Sequence, residues 1–368
     1  MSHQSLHIID NGLASKIGHH YNYDKAIVNA ASRRGIKTFV WGHNSLTDPD
    51  ILQIAIPHFN HYLYNSVAPE NFTSSVAVHL KDIKAVIDKV DSSDIIFIPN
   101  LLNLDVAALK LILIENDFLN PLNLLVRYHT NTDGSPESIF FVNSLREICR
   151  LHSSTFVFAD TQSLVNVLSA NGIRAKLISF PIDIPYADLH FENKFDFAYV
   201  GQAAHYKGYY HVINALVVGS QIGYFPRVAI QSNGIDPATL AAVMEILPNV
   251  TWIFEAMNPI CYYQLLANAD TILIYYDPTF YTVNSSGILV EALALNRRVL
   301  TTHFTHAKEM LGENIQALPS DEYSHEALLL KMIRMGSDSC LPREFLKLTD
   351  YAKNLANSNR IIDLLFSL

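Results

Sequence analysis

IYYDPTFYTVNSSGILVEALALNRRVLTT, residues 274 to 302, has the pattern of a strand end, an open polar loop, a short helix and a further strand. The apolar run that leads into it, residues 271 to 276, ends at Asp277 and Pro278. Proline cannot extend a central strand because it lacks the backbone donor. The order of these segments predicts an α/β unit with a binding site in its loop.

The helix that follows the loop is predicted to present its amino terminus to a ligand. Asn284 or Ser285 is expected to be the N-cap, while Ser286 and Gly287 leave room for close approach to the helix end. Free amides and the positive end of the helix dipole attract anions there. Glu291 is expected in the first turn, where it would offset the dipole by roughly 0.3 kcal/mol. On local grounds alone, Glu291 is therefore a structural residue.

Size and composition indicate a globular chain of about two domains. The 368 residues are 49% hydrophobic and 17% charged. A net charge of −9 argues against a general nucleic-acid binder, whose footprint would be basic. The amino terminus lacks the cationic and apolar regions of a signal peptide, and no run of about 18 uncharged apolar residues occurs. We expect a cytoplasmic protein, with peripheral contact to the inner face of a membrane left open.

The cysteines and histidines show no convincing metal-ligand spacing. Cys149, Cys261 and Cys340 lie far apart and form no CxxC pair, which is typical of free thiols in a reducing cytosol. His58 and His61 are close in sequence, but no carboxylate or cysteine is near them, and a helix or turn surface explains them about as well. We expect no metal site and no resident cofactor.

Strand and helix patterns alternate along the chain in two series. The first series occupies residues 1–180, prolines and polar residues mark a linker at 181–193, and the second series occupies 194–345. A terminal helix within residues 346–368 is expected to cross back to the first domain. The alternation predicts two facing, doubly wound Rossmann-like α/β domains with a cleft between them.

Two loops of the first half follow predicted strands and hold candidate binding residues. Gly18, His19 and His20 lie in the loop after the first strand, and His129 directly follows the strand pattern at 124–128. Ligands bind at the carboxyl ends of strands in open parallel sheets. No GxGxxG motif occurs, so the dinucleotide fingerprint is absent. The pattern alone supports a structural role for His129 about as well as a binding role.

The second half carries a set of motifs that resembles a known enzyme family. FAYVG at residues 197–201 is followed by Lys207 and Gly208, and EALA occurs at 291–294. These segments resemble the retaining nucleotide-sugar glycosyltransferases of the GT-B architecture, the group 1 or family 4 type. The resemblance extends over about residues 6–320, and it implies the same two-domain fold.

The resemblance assigns roles to individual residues of the second half. In the family an arginine and a lysine hold the donor diphosphate, and here Lys207 matches the lysine while Gln202 stands at the arginine position. Glu291 matches the glutamate that contacts the ribose. Val283 stands eight positions earlier, where the family commonly carries a second glutamate.

The remaining contacts implied by the resemblance lie in both halves. The further donor-binding positions are Gly18, Gly201, Asn284, Ser285, Ser286 and Gly287. His129 matches the histidine that reaches the donor hexose, and it joins Lys207 and Glu291 as a candidate catalytic residue. His19 and His20 are candidate acceptor contacts.

The activity implied by the resemblance is retaining, metal-independent transfer of a hexose. The donor would be a UDP- or GDP-sugar, the acceptor a glycan or a lipid-linked glycan, and the setting cell-surface polysaccharide synthesis. Two alternatives stay open at this point. The absent charges at Gln202 and Val283 allow a catalytically inactive sugar-nucleotide-binding or partner subunit, and the fold also allows a nucleotide-sugar epimerase.

Overall fold

The computed structural model of the protein describes residues 4–16, 19–65, 67–115, 120–127, 134–178, 180–312, 317–318, 323–337, 350, 352–354 and 357–367. The chain divides into two compact units. The first comprises Met1–Asp183, Val283–Ser285 and Asn357–Leu368, and the second comprises Ile184–Thr282 and Ser286–Ala356.

The first unit is built on a parallel seven-stranded sheet. Its strands are β1 (Leu6–Ile9), β2 (Thr38–His43), β3 (Ala55–Phe59), β4 (Ile95–Ile98), β5 (Leu122–Val126), β6 (Thr155–Ala159) and β7 (Ala175–Leu177). Between them lie the helices α1 (His19–Ser32), α2 (Pro49–Leu52), α3 (Phe72–Ile87), α4 (Asn103–Glu115), α5 (Pro136–Leu151) and α6 (Gln162–Ala170). The spatial order is β3-β2-β1-β4-β5-β6-β7, so the order reverses between β1 and β4.

Helices cover both faces of the first sheet, which explains why its central strands are continuous apolar runs rather than alternating ones. Leu124 and Leu125 are neighbours on β5, yet they belong to two different buried clusters. The cluster of Leu124 includes residues of α3 to α6, and the cluster of Leu125 includes residues of α1. Successive strand residues point to opposite faces, so each face of the sheet has its own core.

The second unit repeats this architecture on a parallel six-stranded sheet. Its strands are β8 (Phe195–Tyr199), β9 (Val228–Gln231), β10 (Val250–Ile253), β11 (Ala269–Ile274), β12 (Arg298–Thr302) and β13 (Ala317–Leu318). Its helices are α7 (Tyr209–Gln221), α8 (Pro237–Ile246), α9 (Pro259–Asn268), α10 (Gly287–Ala294), α11 (Thr305–Leu311) and α12 (His325–Ser337). The spatial order is β10-β9-β8-β11-β12-β13, so the order reverses between β8 and β11.

The carboxyl-terminal helix α13 (Ser358–Phe366) belongs to the first unit, where it packs against α1. Asn357 caps it by accepting a hydrogen bond from the amide of Asn359 at 3.0 Å. Ile361 and Ile362 are fully buried in the core beside α1. An exposed ion pair at 2.5 Å, between Arg34 and Asp363, adds little stability because solvent screens it.

No described helix combines the length and the apolar content that a span requires.

Candidate active site

The loops after β8 and β11 meet at the point where the strand order of the second sheet reverses. The two strands are hydrogen-bonded neighbours, with Phe197 opposite Thr271. The amide of Asp277 donates to the carbonyl of Tyr206 at 2.9 Å, which joins the two loops directly. Ligands of open parallel sheets bind at such a switch point. The second unit therefore has its candidate site where the sequence motifs are concentrated.

Gly208 fixes the position of the loop that carries Lys207. Its φ is +75°, and a Cβ atom on it would lie 1.9 Å from the carbonyl oxygen of Tyr275. Only glycine allows both this left-handed backbone and this close approach. The neighbouring Lys207, which ends a short 3₁₀ turn (His205–Lys207), is thereby held against the end of β11.

Lys207 is a half-buried cation that has no counter-charge among the described residues. Burial lowers the pKa of its ammonium group, and no carboxylate offsets that effect. The ion pairs found among the described residues do not include Lys207. A cation removed from water needs an anion, so this arrangement suits a bound phosphate.

The helix α10 begins later than the sequence predicted. Ser286 is its N-cap, since the Ser286 hydroxyl accepts from the amide of Leu289 at 3.3 Å. The prediction of Asn284 or Ser285 as cap is wrong, because Ser286 itself has extended backbone angles and the helix starts only at Gly287. Glu291 is accordingly the fifth residue of α10, beyond the first turn, and the prediction that it offsets the dipole there is also wrong.

The first backbone amides of α10 differ in whether they already have a hydrogen-bond acceptor. The amide of Ser286 donates to Nδ1 of buried His306 at 2.9 Å, so it is already occupied. The amides of Gly287 and Ile288, both half-buried residues, have no acceptor within the described ranges. A Cβ on Gly201, whose φ is +103°, would lie 3.0 Å from Cδ1 of Ile288, so the loop after β8 passes close to this helix end.

Buried His306 is expected to make the second unit less stable in acid. Burial lowers its pKa to about 4 from the usual 6.5. The unfolded chain takes up this proton below pH 6.5 and the folded chain does not, so stability is lost as the pH falls toward 4. We expect wild type to lose about 2 kcal/mol more unfolding free energy than His306→Gln between pH 7 and pH 4.5, measured by denaturant titration. Equal losses in the two proteins would contradict this assignment.

Glu291 is buried, and two phenols hold its carboxylate. The Tyr262 hydroxyl donates to Oε2 at 2.6 Å, and the Tyr263 hydroxyl donates to Oε1 at 3.1 Å. Burial raises the pKa of Glu291, while the two phenol hydrogen bonds act in the opposite direction. The sequence pointed to Glu291 but not to these two partners.

Gly201 and Gln202 lie in the same loop as Lys207. The amide of Gly201 donates to Oε1 of Gln231 at the end of β9, at 2.7 Å. Gln202, at the arginine position of the resemblance, is exposed and accepts a hydrogen bond from the Tyr206 hydroxyl at 3.2 Å. Its side chain is thus available at the surface but uncharged.

Residues 283–285 belong to the first unit. Val283 and Ser285 accordingly contact residues of that unit. Val283 packs against the core of the first sheet, and its carbonyl accepts from the Thr161 hydroxyl at 2.8 Å. The Ser285 hydroxyl donates to buried Asp160 at 2.6 Å. Asn284 between them is half-buried.

The first unit has a polar cluster of its own around the switch point between β1 and β4. Nδ1 of His20 lies 2.7 Å from Oδ2 of Asp10, and Nε2 lies 2.7 Å from the hydroxyl of Tyr64. The amide group of Asn100, which follows β4, is 3.3 Å from Nδ1 of His20. A Cβ on Gly12 would lie 2.3 Å from this imidazole ring, so the ring packs on the first glycine loop.

Four members of this edge were not among the predicted site residues, although three of them follow an apolar strand pattern within two residues and Arg127 lies inside the pattern at 124–128. They are Asp10 after β1, Asn100 after β4, Arg127 after β5 and Asp160 after β6. Nε of Arg127 donates to Asp160 at 3.1 Å, and a second guanidinium nitrogen donates to Asn100 at 3.1 Å. Gly18 and His129 lie outside the described residues. His19 begins α1, and nothing is described of its side chain.

The described His, Cys, Asp and Glu side chains do not form a metal centre. No group of three or more potential ligands among His, Cys, Asp and Glu side chains occurs in the part of the chain that the structure describes. His58 instead contacts the backbone carbonyl of Asp82 at 2.8 Å.

The two parallel α/β units have the architecture of the GT-B fold, and the comparison with solved structures confirms this prediction. A glycosyltransferase from Rickettsia africae matches with a TM-score of 0.67 at 14% identity, over 99% of this chain and 98% of the other. A sucrose-phosphate synthase from Thermosynechococcus elongatus matches with a TM-score of 0.64 at 13% identity, over 99% and 95%. At such identities the likeness establishes the fold.

A third solved structure with this fold contains a nucleotide sugar. It is HepE of Anabaena in complex with UDP-glucose, with a TM-score of 0.61 at 14% identity, over 99% of this chain and 96% of the other. No family model and no curated protein matches the sequence.

Proposed function

We propose that the protein is a glycosyltransferase that moves a sugar from a nucleoside-diphosphate donor to a glycan or lipid-linked acceptor. The observation that carries the proposal is the second switch point. A half-buried lysine and two helix-end amides lie there at one edge of the sheet, and the described residues offer no carboxylate to the lysine and no acceptor to the amides. Such a set of donors suits a diphosphate.

Transfer breaks the bond between the anomeric carbon and the phosphate, so negative charge grows on the diphosphate. Fixed donors aimed at that charge stabilise the transition state, each by about 3 kcal/mol. Lys207 and the amides of Gly287 and Ile288 take this role. Glu291 accepts hydrogen bonds from the ribose hydroxyls, which a carboxylate can do and an apolar residue cannot.

The finer features follow from the resemblance of the motifs. They are retention of the anomeric configuration, independence of metal ions, His129 as the contact to the hexose, and a role in polysaccharide synthesis in the cytoplasm. His20, held by Asp10, keeps its proposed role as an acceptor contact together with His19. The fold neighbour with bound UDP-glucose favours a UDP-sugar as the donor to test first.

A catalytically inactive partner subunit is the second candidate. It is favoured by the exposed, uncharged Gln202 and by Val283, which packs into the first core instead of offering a carboxylate. Such a subunit would bind the nucleotide sugar without releasing nucleoside diphosphate.

A donor screen with an activity readout separates these functions. We expect one of a panel of UDP-, GDP- and ADP-sugars to raise the melting temperature, because a ligand that binds only the folded state stabilises it by mass action. We also expect slow release of nucleoside diphosphate from that donor, unchanged by EDTA and reduced at least tenfold in Glu291→Gln. Binding without release would favour the partner subunit, and absence of binding to every donor would refute the proposed function.

A further inference from the structure

Two consecutive tyrosines converge on one buried carboxylate in the second unit. Tyr262 and Tyr263 lie in the first half of α9, which Asn258 caps by accepting from the amide of Cys261 at 2.9 Å. Their rings meet edge to face, with centroids 5.3 Å apart. Consecutive helical residues point about 100° apart, yet both phenols reach the carboxylate of Glu291. The contact is a built arrangement that links α9 to α10.

The carboxylate keeps acceptor capacity after both contacts are made. Each carboxylate oxygen can accept about two hydrogen bonds, and each oxygen of Glu291 receives one phenol. Within the described residues Glu291 accepts from no other side chain. One acceptor position therefore remains on each oxygen.

In the part of the chain that the structure describes, no cation compensates this carboxylate. The groups that face it are the phenols of Tyr262 and Tyr263 on α9 and that of Tyr276 after β11, and no charged side chain contributes to its pKa. A buried carboxylate with only neutral donors is costly to keep. A purely structural link between two helices does not require a buried carboxylate. A site that binds the hydroxyls of a ligand does require such an acceptor.

We propose that Tyr262 and Tyr263 are positioning residues that orient the Glu291 carboxylate toward a vicinal diol, and so set the preference for ribonucleotides over 2′-deoxyribonucleotides. The inference rests on the proposed function, whose donor carries such a diol on its ribose. The terminal torsion of a glutamate is intrinsically broad, so the two phenols supply the orientation. The two remaining acceptor positions then match two adjacent hydroxyls.

Binding of UDP and 2′-deoxy-UDP tests this inference, with GDP and 2′-deoxy-GDP as the parallel pair. Calorimetry on the full chain should show that wild type prefers the ribonucleotide at least tenfold, because a site built for a hydroxyl rejects a ligand without it. Tyr262→Phe should bind UDP about tenfold more weakly. Its preference over the 2′-deoxy form should fall to about twofold.

The pH dependence of binding gives a readout that a merely structural tyrosine would not move. The phenol hydrogen bonds lower the pKa of Glu291, so removal of one phenol raises that pKa. UDP binding by Tyr262→Phe should therefore weaken at a higher pH than binding by wild type on acidification. The titration of UDP itself is common to both proteins and cancels in the comparison.

Tyr186→Phe is the matched control. The Tyr186 hydroxyl donates to the carbonyl of Ala294 at the far end of the same helix, at 2.9 Å. This variant should keep the UDP affinity, the ribose preference and the acid midpoint of wild type. Should Tyr262→Phe fail to fold, Tyr263→Phe, which removes the longer bond, carries the same test.

The outcomes separate the inference from the function on which it rests. If the tyrosine variants at 262 and 263 behave like Tyr186→Phe while wild type binds UDP or GDP, the inference is overturned and the proposed function stands. If wild type binds neither nucleotide and no donor of the panel raises its melting temperature, the proposed function and the inference fail together; if only an ADP-sugar binds, ADP and 2′-deoxy-ADP form the test pair.

Discussion

Gly208→Ala is expected to destabilise the second unit by at least about 3 kcal/mol. Its Cβ would lie 1.9 Å from the carbonyl oxygen and 2.9 Å from the carbonyl carbon of Tyr275. These are backbone atoms at the end of a buried strand, so no side-chain rotation relieves the contact. The left-handed φ of +75° adds its own strain. Denaturant unfolding followed by circular dichroism measures the effect.

Gly223→Ala separates the contact from the backbone strain. Gly223 has a φ of +80°, and nothing lies within 4 Å of a Cβ built on it. We expect a loss of only about 1 kcal/mol there. Similar losses at Gly208 and Gly223 would show that the close approach to Tyr275 has no energetic weight.

The fold could be predicted from the sequence because parallel strands leave a strong signal. Strands covered on both faces are short apolar runs, and helices of ordinary length separate them. The runs at β4, β5 and β11 show this pattern, and the two doubly wound α/β units that it predicted are confirmed. The exact start of α10 could not be predicted, because three neighbouring residues are all acceptable caps. In the structure residues 283–285 belong to the first unit, and Ser286 is the cap of α10.

The candidate site was predictable only where its residues are close in sequence. The Lys207-Gly208 pair and Glu291 were singled out because short motifs around them resemble the family, whereas local patterns alone made both charged residues structural. The partners that change their chemistry are remote in sequence: His306 occupies the amide of Ser286, and Tyr262 and Tyr263 hold Glu291. No local pattern carries such contacts, since packing between helices creates them.

The polar residues at the carboxyl edge of the first sheet could have been predicted from the sequence. Asp10 directly follows the first predicted strand, as Arg127 and Asp160 follow β5 and β6. The rule that ligands bind at the carboxyl ends of strands was applied to His129 but not to these residues. The strand pattern places Arg127 and Asp160 at the same edge of the sheet. Their ion pair is visible only in the structure.

Lys207→Met should weaken UDP binding about a hundredfold, as expected for one fixed donor to a diphosphate worth about 3 kcal/mol. The methionine keeps the apolar stem and removes only the charge. Affinity for uridine, which lacks the phosphates, should not change. A comparison of UDP and uridine by calorimetry therefore isolates the contribution of Lys207 to the phosphates.

The same variant distinguishes a binding lysine from a structural one. Burial disfavours the Lys207 charge in the free protein, so its removal should leave the free energy of unfolding unchanged or raise it. Lys194→Met is the control, because Lys194 is exposed and pairs with Glu192 at 2.7 Å; it should change neither stability nor UDP affinity by more than about 0.5 kcal/mol. A Lys207→Met protein that loses stability but binds UDP like wild type would make Lys207 a structural residue, and the phosphate site would have to lie elsewhere.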